Sequence, residues 1–179
     1  MIFSELNQST RDQMLTTFEP EEAGTPYRSQ ILSNVGLTAF PDLMREAITK
    51  GDETTLAAAL DRSDFWLPYD AGGKTVNVRQ RSEQLALTEF NTWYVAGLAR
   101  KLKLEGETHC EVYRPANPKW EPALCTTHEG VTYPLDDIIR GHRIGYWPLR
   151  GVLGKLSIPA GPGCHHTIRR VISPLPSSD

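Results

Sequence analysis

The stretch RQRSEQLALTEFNTWYVAGLARKLKLEG, residues 79–106, decides the fold. Leu87, Phe90, Tyr94, Leu98 and Leu102 recur at steps of three and four, the spacing of one face of an α-helix. Ser82, Glu83 and Glu89 come early and Arg100, Lys101 and Lys103 late, which suits the positive N-terminal and negative C-terminal ends of a helix. The spacing predicts one long helix from about residue 79 to 104, stopped by Gly106, at the centre of the core. Trp93 falls off the apolar stripe, so it either widens the buried face or meets a partner.

Working towards the N-terminus, LPYDAGGKTVNV (67–78) reads as a turn at Gly72-Gly73 followed by a short strand through Thr75, Val76 and Val78. Its Gly-Gly-Lys-Thr string is not a phosphate loop. The motif needs a glycine where Pro68 stands and a helix where the β-prone Thr75-Val76 follows. Before it, Pro41 suits a first helical position and Gly51 a stop, with Leu43, Ala47 and Ile48 facing inward. Asp52 caps a second helix carrying Leu56, Ala59 and Leu60 and ending near Arg62. Residues 1–35 read as an arm or linker: Ser9 and Asp12 cap a short helix through Leu15, and FEPEEAGTPYRS is acidic and broken by Pro20, Gly24 and Pro26.

Towards the C-terminus, THCEVY (108–113) alternates as a strand and GVTY (130–133) reads as another. A helical piece covers 135–140, and Ile168 sits in a last strand after the Pro/Gly turn of 159–163. The expected fold is α+β: a small helical N-terminal part, one long central helix, a small mostly antiparallel sheet towards the C-terminus, and extended arms. The expected organisation is an arm over 1–35, a single domain over 36–172 and a flexible tail over 173–179.

Composition sets the outer bounds. The chain has 179 residues, of which Leu, Ile, Val and Phe make 41, about 23%, enough for a modest core. No run approaches 18 apolar residues and no secretory signal opens the chain, so neither a membrane nor export is expected. Three cysteines, Cys110, Cys125 and Cys164, do not make a disulfide framework. Net charge is −3, but unevenly spread. Residues 1–70 hold 5 Lys/Arg against 12 Asp/Glu, whereas residues 140–179 hold 6 against 1. The split suits copies of one subunit packing acidic end to basic end, or nucleic acid at the basic end.

Chemistry centres on cysteine and histidine. Cys125-x-x-His128 with Cys164 and His165 or His166 is the set that could close a tetrahedral zinc site, although only one pair has ligand spacing. Cys125 near His128, or Cys164 beside His165 and His166, offers a thiol with a base. The plainer reading is a buried Cys110 and polar loop histidines, and no catalytic, cofactor or metal residue is assigned. Arg140, Arg143 and Arg150 interleave with Tyr146 and Trp147, a mix that stacks on bases but is also typical of protein interfaces. With Trp120, these aromatics point to protein partners.

Taken together, residues 79–106, the strand THCEVYR (108–114) and the closing IPAGPGCHHTIRR (158–170) resemble proteins encoded beside the portal gene of tailed bacteriophages and prophages. Two groups share the pattern: head-to-tail joining or neck proteins, and Mu-F-like minor head proteins. Glu89 and Asn91 on the long helix, Cys125-x-x-His128-Glu129-Gly130 at the turn, and Pro159 to Ile168 carry the second. The resemblance spans about 79–172. It implies a non-enzymatic structural protein of the virion, made in the host cytoplasm and oligomerising as a ring near the portal vertex. Its partners would be further copies of itself, the portal or other neck and tail proteins, and packaged DNA. The alternatives are a minor head or capsid-accessory protein, or a nucleic-acid-binding or zinc-containing nuclease-like domain. Residues 1–35 or 140–179 are expected to grip the neighbouring chain.

Overall fold

A computed structural model describes residues 3–115, 125–144, 151–161 and 164–171. Among the described residues there are five α-helices, α1 (Gln8–Ala23), α2 (Asn34–Lys50), α3 (Glu53–Leu60), α4 (Val78–Leu104) and α5 (Leu135–Arg140). Three strands, β1 (His109–Tyr113), β2 (Thr132–Pro134) and β3 (Thr167–Arg170), form an antiparallel sheet in the order β2-β1-β3. The α+β architecture around one long helix is therefore as the sequence predicts.

Helix α4 is the axis, but it does not present one stripe. Every residue from Thr88 to Ala99 is buried, because α1, α3, α5 and β3 surround it. Phe90, Tyr94, Leu98 and Leu102 are fully enclosed, as their spacing predicts. Leu87 is only half-buried, and Trp93 belongs to the core. An encased helix loses its amphipathic signature, which is why a single face was the incomplete reading. Val78, expected in a strand, opens α4 instead, because the Asn77 side chain accepts from the Gln80 backbone N–H and caps the helix.

The reading of residues 1–35 as an arm is corrected. Asn7, not Ser9, caps α1, and the helix runs through Pro20 to Ala23. Thr10, Met14 and Phe18, one turn apart, are all buried against α4. The stripe is narrow and its flanks are polar, so composition alone concealed it. Gly97 lets the two helices touch: a Cβ there would lie 2.5 Å from Met14 Cγ and 2.7 Å from its backbone nitrogen. Arg11 adds a second anchor, donating to the carbonyls of Ile48 at 2.6 Å and Gly51 at 2.9 Å at the end of α2. The predicted tail over 173–179 lies outside the described residues.

Helix α2 also starts earlier than Pro41. Ser33 caps it through Gly36 N–H, and Pro41 sits inside the helix. Asp52 caps α3 as predicted, with Thr55 closing a reciprocal capping box. The 67–76 segment makes a turn closed by a single Tyr69–Thr75 bridge rather than a strand. In the sheet, Cys110 opposes Tyr133 on β2 and Arg170 on β3, and Val112 opposes Ile168. Cys110, Val112 and Ile168 are fully buried.

Candidate functional site

Two polar clusters stand out among the described residues, each joining the C-terminal half of the chain to helix α4. The first is buried between α1 and α4. Arg143 reaches Glu89 with both terminal nitrogens, at 3.1 and 2.7 Å, and pairs through Nε with Glu21 at 2.9 Å. Its guanidinium also lies over the rings of Trp93 and Tyr27, at 4.8 and 5.2 Å from their centroids. The neighbouring His142 Nε2 is 3.1 Å from the other oxygen of Glu21. Burial holds the His142 imidazole below its ordinary value, against the raising effect of Glu21. Tyr27 is pushed up by burial and then by Glu89. This cluster ties α1, α4 and the segment after α5 together.

The second cluster is built on the turn before β2 and the start of β3. His166 stands between two partners: its Nδ1 lies 3.6 Å from Cys164 Sγ, and its Nε2 lies 3.2 Å from Glu129 Oε1. Glu129 Oε1 is also 2.8 Å from Arg114 Nε, just past the end of β1. Asn91, buried on α4, donates to the His166 carbonyl at 2.7 Å and fixes the backbone of this segment. Because an ionised carboxylate only accepts hydrogen bonds, Glu129 selects the His166 tautomer with its proton on Nε2. The Nδ1 lone pair then faces the thiol. Sγ–H donating to Nδ1, with Nε2–H donating to a carboxylate, is the order of nucleophile, base and orienting group.

Of the sequence-derived zinc set, the structure brings Cys164 and His166 together. His128 Nδ1 bonds the Tyr133 hydroxyl at 2.7 Å, and Cys125 begins a 3-10 turn with its side chain outside the described residues. His165 is half-buried, and burial followed by Arg114 and His166 lowers it. Among the described residues no group of three or more His, Cys, Asp and Glu side chains is placed to hold a metal ion. Cys164 and Glu129 address opposite nitrogens of one ring, so they cannot share an ion with it.

Glu129, Arg114 and the Arg143 network escaped the sequence reading. An acid in the middle of the apolar run of α4, Glu89, was the available signal for the second. Of the six cations in residues 140–179, four are engaged within the chain. Arg143 pairs as above, Lys155 meets Asp137, Arg169 meets Glu111, and Arg170 meets Glu105 and Glu107. Trp120, Tyr146, Trp147 and Arg150 lie outside the described residues. No helix among the described residues is long and apolar enough to cross a membrane.

No protein-family model matches the chain, and no curated protein and no solved structure matches it either.

Proposed function

We propose that this chain is a non-enzymatic structural subunit of a tailed-bacteriophage particle, assembling with copies of itself near the portal vertex to join head and tail. The resemblance of residues 79–172 to portal-adjacent phage proteins suggests the class. The observation that carries an assembly role is an exposed apolar corner beside the start of α2. Val35, Leu67 and Tyr69 are 53%, 40% and 60% exposed there. The segments that carry them are joined where Ser33 N–H bonds the Phe65 carbonyl and Leu67 N–H bonds that of Ile31. Exposed apolar side chains on joined segments favour burial against another surface. The occupant is a second copy, in a heterologous contact of the kind that closes rings.

These apolar residues add a gripping surface to the oppositely charged ends of the chain. Sedimentation velocity is the first test: the purified protein forms a discrete oligomer, and Leu67→Asp with Tyr69→Asp shifts it to monomer. Immunogold labelling of purified particles is the second, with label at a single vertex. A concentration-independent monomer, together with particles free of the protein, overturns the proposal.

A further inference from the structure

We infer that Cys164 is a nucleophilic thiol, served by His166 as its base and Glu129 as the group orienting that base, which accepts an acyl group from a thioester or ester donor. This goes beyond the assembly reading and does not depend on it. Three observations converge. Cys164 is half-buried and its sulfur is within hydrogen-bond reach of Nδ1, the ring nitrogen opposite the Glu129 contact. The imidazole is 8% exposed and meets Glu129 at Nε2, while Asn91 fixes the His166 backbone through its carbonyl. Cys110 provides the internal contrast: it is fully buried, and desolvation pushes its thiol up to about 12. Reactive cysteines occupy partly exposed, positively charged surroundings, whereas enclosed ones are inert.

The chemistry balances without a further reagent. The Cys164 proton passes to His166 Nδ1 as Sγ attacks the acyl carbon. An S–C bond forms, the bond from that carbon to the leaving sulfur or oxygen breaks, and the leaving group departs with the electron pair. It takes the proton back from His166, which returns to its neutral form. A donor whose leaving group needs a proton gains most from an imidazolium beside the sulfur, which is why acyl donors, rather than alkylating agents, are the class this site fits. Among the described residues, the charged and titratable groups around His166 are Glu129, Arg114, His165 and Cys164 itself.

The test uses the full-length protein and S,N-diacetylcysteamine as donor. Trypsin separates the three cysteines, placing Cys164 alone in the peptide 156–169. Mass spectrometry of that peptide reads one added acetyl group. The expected result is acetylation of Cys164 at neutral pH on the order of 100-fold faster in the folded protein than in urea. His166→Gln reduces the rate about tenfold or more and leaves activity that rises only towards alkaline pH, as for an unassisted thiol. Glu129→Gln gives a smaller reduction, and Cys164→Ser abolishes the adduct. Circular dichroism confirms that each variant is folded. If His166→Gln does not fold, the wild-type comparison with urea and the Glu129→Gln rate still decide. Equal rates in folded and unfolded protein, or a folded His166→Gln variant with an unchanged rate and pH profile, overturn the inference.

Discussion

Arg143 and Glu89, 54 residues apart in the chain, form a two-pronged ion pair in which the two side chains are only 1% and 2% exposed. A pair so enclosed has lost its hydration, and its charges are tolerable only because each meets the other. The second carboxylate, Glu21, brings α1 to the same guanidinium. The network therefore fixes how the segment after α5 closes over the two principal helices.

Removing the cation alone is the damaging change. Arg143→Met leaves the buried Glu89 carboxylate without its two-pronged partner and is expected to lower stability by about 3–5 kcal/mol. Adding Glu89→Leu to it should restore part of that loss, since one uncompensated charge then disappears. Urea unfolding of the single and double variants measures both. Equal stability of Arg143→Met and wild type would show that the pair is not formed in solution.

The contact between Gly97 and Met14 gives a prediction whose sign is diagnostic. In a helix whose surroundings are open, Gly→Ala stabilises by about 1 kcal/mol, because glycine is the poorer helix former. Here the added methyl would meet Met14 Cγ and its backbone nitrogen, at 2.5 and 2.7 Å. Backbone cannot yield as a side-chain tip does, so Gly97→Ala should destabilise by roughly 1–3 kcal/mol. A thermal melt that rises on substitution would mean that α1 does not pack on α4.

What the sequence disclosed follows from where each signal is stored. Strong local signals were legible: the periodicity of α4, the Asp52 cap, the alternation of β1 and the helix at 135–140 all correspond to elements of the structure. Helix α1 was hidden because its burial rests on three residues and on a glycine 83 positions from Met14 in the chain. The Cys164–His166 proximity was visible as a two-residue spacing, but Glu129 and Arg114 reach it only through pairing in the sheet. Charge counting likewise left the pairing within the molecule out of sight. The excess of cations after residue 140 and of acids before residue 70 is partly satisfied inside one molecule, through pairs such as Arg143 with Glu21, which sequence order cannot reveal.

His142 sets the pH dependence just below neutrality. Its imidazole is depressed in the folded chain, first by burial, whereas an unfolded histidine titrates near 6.5. As pH falls through that value the unfolded state takes up a proton before the folded state does, so folding loses stability. Urea midpoints should therefore decrease between pH 7 and 5, before carboxylates begin to titrate. His142→Gln should flatten part of that slope, and His165→Gln a smaller part, because His165 is lowered in the same direction but less enclosed. An unchanged slope in His142→Gln would place the imidazole in solvent.

At more acidic pH the cap of α3 becomes the group to watch. Asp52 accepts from the Thr54 side chain at 2.6 Å and from the backbone N–H groups of Thr54 and Thr55, and the Thr54 hydroxyl is the main reason its carboxyl lies below the usual range. A depressed carboxyl contributes stability above its unfolded value near 3.8, and that contribution fades as pH falls through the folded value. Asp52→Asn keeps an accepting oxygen and should cost only a few tenths of a kcal/mol at neutral pH, whereas Asp52→Ala should cost about 1 kcal/mol. Both variants should lose less than wild type on acidification to pH 3. Hydrogen exchange at Leu56 and Ala57 localises the effect: faster exchange in Asp52→Ala at neutral pH, with α4 unaffected, shows that the cap holds α3 locally, and uniform acceleration across the chain would contradict it.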